Sequence, residues 1–75
     1  MTRLNRTNGF PLYRQLARVL KEQLESGSYQ VGDSFMSEAQ IEEMFGVSRI
    51  TVRNALQLIE AEGYIHRDPG KPTVV

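Results

Sequence analysis

The sequence predicts a mainly α-helical domain, three helices closed by a small two-stranded β-ribbon. Three observations predict it. Apolar residues recur at helical spacing over 12–24 and again over 52–59. The residues "GVS" (46–48) are the whole link between two helical stretches. The turn-forming "DPGK" (68–71) separates two short extended runs, "YIHR" and "PTVV".

Residues 1–9 read as a flexible arm, and residues 10–75 as one domain. Pro11 suits a first helical turn, whose N–H groups lack intrahelical partners in any case. Leu12, Leu16, Val19, Leu20 and Leu24 then line one helix face, and Gly27 closes the helix. Gly32 and Asp33 form a turn that leads into a short extended piece. Ser37 opens a second helix, with Gln40 placed to complete a capping box. Ile41, Met44 and Phe45 are its expected inner face, and Gly46 stops it. Ser48 caps a third helix by accepting from the backbone N–H of Ile50 or Thr51. Val52, Ala55, Leu56 and Ile59 give that helix a full apolar stripe, and Gly63 ends it. So short a link between the second and third helices forces a sharp crossing, as in a helix-turn-helix. The ribbon that follows makes the pattern a winged helix-turn-helix.

Composition narrows the function. A chain of 75 residues holds one small domain with a modest core, too small for a complete enzyme with an enclosed pocket. It has no cysteine and a single histidine, His66, so disulfides and the usual zinc sites are excluded and no cofactor is expected. Nothing resembles a signal peptide, and no run approaches the roughly 18 apolar residues of a membrane span. The expected location is the cytoplasm. Net charge is zero, which argues against a strongly basic nucleic-acid binder, but the charges are segregated. Residues 1–21 carry Arg3, Arg6, Arg14, Arg18 and Lys21 and no acid, and residues 47–57 carry Arg49 and Arg53 and no acid. Arg3 and Arg6 read as ordinary solvated charges. Glu42 and Glu43 are adjacent on a helix and diverge, so paired-carboxylate catalysis is not expected.

The entry of the third helix concentrates the remaining chemistry. A helix N-terminus presents free N–H groups and the positive end of its dipole, which attract phosphate. Ser48 and Thr51 can add hydroxyl donors there. Arg49 stands where a guanidinium can fork onto the O6 and N7 of guanine, and Arg53 lies one turn further on the same side. Exposed arginines are also common on helices for no further reason, and that plainer reading stands beside this one.

Residues 10–75 resemble the DNA-binding domain of GntR-type bacterial transcription regulators. The likeness is carried by "PLY" before the first helix, "GD" before "SE", "FGVSR-TVR-AL" and "EGYI" with "GKPT" after it. It implies that Ser48, Arg49, Thr51 and Arg53 face double-stranded DNA. Gly70 would let the wing backbone approach the minor groove, with Lys71 beside it for a phosphate. The chain departs from the family pattern at three places. Ala39 stands where an arginine commonly contacts DNA, Ile50 replaces a frequent threonine and can instead touch a thymine methyl, and Met36 replaces a loop proline. The resemblance further implies a homodimer on near-palindromic operator half-sites, a small-molecule effector bound by a C-terminal domain, and a role as repressor. Two alternatives use the same fold: fusion to a pyridoxal-phosphate aminotransferase-like body, and a protein-interaction winged helix that never meets DNA. Arg49, Arg53 and the Ser48 cap speak against the last.

Overall fold

The computed structural model of the chain describes residues 11–75, so the expected arm over 1–9 lies outside the described residues. Three helices follow in order: α1 over Leu12–Glu25, α2 over Glu38–Phe45 and α3 over Arg49–Ala61. Pro11 stands one place before the helix, as the residue flanking α1, and its carbonyl accepts from Arg14 N at 3.0 Å. Ser26 ends the helix and Gly27 follows at φ +91°.

The helices exist because their apolar stripes have somewhere to go. Leu16 and Leu20 of α1, Ile41 of α2, and Val52, Leu56 and Ile59 of α3 are the largest fully buried side chains. Full burial of one such side chain is worth about 1.5–3 kcal/mol. Helices α1 and α2 both pack on α3, which is therefore the hub that sets every other element's position. Phe35, Val47 and Ile65, each from a connecting segment, close the core around it. Tyr29 meets Phe35 edge to face, with ring centroids 5.1 Å apart. Met44, expected on the inner face of α2, is instead half exposed. A helix of only eight residues presents little inward surface, and Ile41 with the partly buried Phe45 takes it.

The expected two-stranded ribbon is reduced to isolated bridges among the described residues. His66 and Val74 exchange both backbone hydrogen bonds, at 2.8 and 3.0 Å. The pairing goes no further toward the turn, where Pro69 and Pro72 lack N–H donors and Gly70 takes φ +74°. On its other side the returning segment pairs with the extended piece before α2. Phe35 N donates to Thr73 O and Val75 N donates to Asp33 O, at 2.9 and 2.8 Å. Val74 therefore bridges Ser34 as well as His66. Three short segments, not two, tie the end of the chain to the approach to α2.

Candidate nucleic-acid interface

The turn between α2 and α3 is built from local chemistry. Ser37 and Gln40 form the complete capping box, with Ser37 Oγ accepting from Gln40 N at 3.1 Å and Ser37 N donating to Gln40 Oε1 at 2.9 Å. Gly46 stops α2 at φ +66°, ψ +37°, donating to Glu42 O at 2.8 Å. Val47 turns inward and is buried. Ser48 then caps α3, accepting from Thr51 N at 3.3 Å, and its hydroxyl lies 3.1 Å from that of Thr51.

That geometry turns one face of α3 outward. Ser48, Arg49, Ile50 and Arg53 are exposed and Thr51 is half-buried, while Val52, Ala55, Leu56 and Ile59 are sealed beneath. Ile50 is 64% exposed, as isolated apolar residues often are on protein surfaces. Asn54 and Gln57 extend the same exposed face. The sequence reading passed over both, although their spacing of four and seven from Ile50 was available.

Both arginines are held by acids of α2. Arg49 donates from Nε to Glu42 Oε2 at 3.2 Å, and Arg53 from Nε to Glu38 Oε1 at 3.3 Å. The arginine side chains remain 63% and 58% exposed. Pairs this exposed contribute about 0.2–1 kcal/mol, so they matter for side-chain placement more than for stability. Glu42 was weighed from the sequence only as a neighbour of Glu43, and neither acid was matched to an arginine, because their partners sit seven and fifteen residues away across the turn.

Gly70 and Lys71 lie together in an exposed turn, with Lys71 N donating to Asp68 O at 3.1 Å. His66 Nε2 sits 3.1 Å from Asp68 Oδ1 and belongs to the base of this turn. Arg67, another residue passed over, fastens that base to the helices. Its backbone N–H and its Nε both donate to Glu60, each at 3.1 Å, and its Nη1 lies 3.9 Å from Glu38. The backbone N–H of Arg67, and then its guanidinium, hold the Glu60 carboxyl below its ordinary value against an opposing effect of desolvation. Arg53, Glu38, Arg67 and Glu60 thus form a continuous chain from the face of α3 to the Gly70 turn.

Just beyond the C-terminal end of α3, Tyr64 donates to Glu25 at 2.6 Å, which raises its hydroxyl pKa. Lys21 lies 5.9 Å from the centre of the same ring and pairs with Glu62 at 2.9 Å. These contacts fasten α1 to the end of α3 and leave the exposed face untouched. No group of side chains that could hold a metal ion occurs among the described residues, and no described helix is long and apolar enough to cross a membrane.

Two helices joined by a three-residue turn, with a capped second helix presenting polar side chains outward, define a helix-turn-helix DNA-binding domain. Comparison with known proteins agrees. A sequence model of "Bacterial regulatory proteins, gntR family" matches residues 12–75, and the chain belongs to that family. The HTH-type transcriptional repressor NagR of Bacillus subtilis (strain 168) is 38% identical over 72 residues, which are 96% of this chain and 30% of NagR. YtrA from Sulfolobus acidocaldarius, a GntR-family transcription factor, superposes with a TM-score of 0.83 at 27% identity, covering 97% of this chain and 77% of that one. AraR(DBD), solved in complex with operator ORE1, superposes with a TM-score of 0.83 at 26% identity over 88% of this chain and 80% of that one. The chain spans less than a third of the curated relatives NagR and the Exu regulon transcriptional regulator of Escherichia coli (strain K12).

Proposed function

We propose that this domain reads a specific operator in double-stranded DNA through the entry of α3. Arg49, Ile50 and Arg53 meet base edges in the major groove, and Ser48 and Thr51 meet phosphates. The observation that carries the reading is the exposed set Ser48, Arg49, Ile50 and Arg53 on a capped helix whose opposite face is sealed. The segment from His66 to Val74 acts as a short wing, with Gly70 close to the minor groove and Lys71 on a phosphate. AraR(DBD) in complex with an operator supports this use of the fold.

In the whole protein the domain serves a cytoplasmic regulator that acts as a homodimer. A small-molecule effector binds a further, C-terminal domain, and the regulator works as a repressor. The repressor-named relative NagR supports that mode, and its greater length leaves room for an effector domain. The domain itself carries no catalytic step.

Selection of preferred sites from random duplexes, followed by binding of Arg49→Ala to the selected duplex and to a scrambled one, tests the proposal. A bidentate guanine contact contributes about 1–3 kcal/mol of discrimination. Arg49→Ala is therefore expected to weaken the selected duplex more than the scrambled one. Equal losses on both would make Arg49 a phosphate contact only.

A further inference from the structure

We infer that Glu42 is a specificity-determining residue of this domain, acting through Arg49. The inference rests on the DNA-reading role proposed above. Glu42 stands on the last turn of α2 and is the more covered partner, at 26% exposure against 63% for Arg49. Its carboxylate takes the Nε–H of Arg49. A guanidinium engaged through Nε still presents Nη1 and Nη2, and these form the end-on fork that matches O6 and N7 of guanine. The acid thus fixes one end of a long, flexible side chain and aims the other end outward.

A second consequence follows from charge. A carboxylate 3.2 Å from the guanidinium offsets much of the attraction that Arg49 would feel for any phosphate. A guanine edge supplies two directed acceptors, and binding it needs the aim more than the net charge. Glu42 therefore favours the base contact over the backbone contact, which is discrimination by making the wrong mode worse. Holding the side chain in advance also removes its ordering cost from the binding step.

The test measures affinity for the selected and the scrambled duplex, at one salt concentration, for wild type, Glu42→Ala, Arg49→Ala and the double variant. Glu42→Ala is expected to bind the scrambled duplex more tightly. It should lower the ratio of selected to scrambled affinity by about 2- to 12-fold, the range set by freeing one side chain. In the Arg49→Ala background the same change should leave the ratio unaltered. Glu42→Gln keeps an acceptor oxygen for Nε without the charge, and should retain part of the ratio. If Glu42→Ala raises both affinities by one factor in both backgrounds, Glu42 is merely a negative charge near DNA and the inference is overturned. Loss of selectivity in Arg49→Ala with none in Glu42→Ala overturns this inference alone. A wild type that selects no sequence overturns the DNA-reading role and this inference together.

Discussion

The turn at Gly46 offers the most direct test of how α3 is positioned. Gly46 has φ +66° and ψ +37°, the left-handed region that an L side chain enters only at a cost. A Cβ placed there would meet nothing within 4 Å, so a substitution is penalised by backbone conformation alone and not by a clash. The left-handed conformation costs an ordinary residue roughly 1–2 kcal/mol. Replacing glycine also restricts the unfolded chain, which returns about 0.4–1 kcal/mol. Gly46→Ala should therefore lose about 1 kcal/mol net, which for a domain of this size lowers the melting midpoint by about 4–8 °C. Gly46→Val should lose more, because a β-branched side chain resists this region further. Gly46→Asn should lose least, since asparagine tolerates it best among the non-glycine residues. Thermal melts followed by circular dichroism give the order Gly, Asn, Ala, Val directly. Equal midpoints for all of them, or valine above alanine, would mean that the turn does not depend on a left-handed residue. The consequence for function is geometric. Gly46 N caps the carbonyl of Glu42, and two residues later Ser48 starts α3, so relaxation of this turn would also separate Arg49 from Glu42.

Other expectations can be checked in the same preparations. Ser37→Ala removes the capping box of α2 and should cost about 1 kcal/mol in denaturant titrations. Lys71→Ala should reduce the log–log salt slope of operator binding by about one unit per wing engaged, with little change in sequence preference. A dimer with two or three phosphate contacts per subunit should itself show a slope of roughly −4 to −5. Glu60 has a lowered carboxyl pKa, so its contribution to stability is present above the ordinary value of 4.5 and is lost as pH falls through the folded value. Glu60→Gln should flatten that part of an acid unfolding profile, and an unchanged profile would detach the Arg67 contact from stability.

The three helices were legible in the sequence because each carries apolar residues at helical spacing, and α2 and α3 are marked a second time by a serine cap, which α1 lacks. Ser37 with Gln40, and Ser48 with Thr51, mark the starts of α2 and α3, and the structure contains both caps. The ribbon was less legible. "DPGK" announces a turn, but the pairing partner on the other side, Ser34, lies in a segment with no alternating pattern. Its role depends on where α2 begins in space, which local propensity does not encode. Within the candidate site, Ser48, Arg49, Thr51 and Arg53 could be placed at the cap and the first two turns of α3 from spacing, and Ile50 was added by the resemblance. What spacing did not give was the second layer. Glu38, Glu42 and Arg67 come near the arginines and the Gly70 turn only through the crossing of α2 on α3 and the return of the chain at Ile65. Met44 shows the converse error, since an apolar residue at a helical interval was assigned to a core that a helix this short does not reach.

The zero net charge, a mark against DNA binding when taken as a sum, acquires a meaning from these contacts. Two cations on the exposed face of α3, Arg49 and Arg53, are each matched by a carboxylate of α2. Their contribution to non-specific attraction is reduced, while their guanidinium ends stay exposed. A regulator must find one site among a great number of competing sequences, and the quantity that decides occupancy is the ratio of specific to non-specific affinity. Lowering phosphate attraction therefore improves that ratio as long as the directed contacts survive. The cost is a weak grip by one domain alone, which a second copy on a paired half-site would offset. On this view the acids of α2 and the proposed dimer answer the same requirement: each domain is kept from holding random DNA, and two together hold the right one.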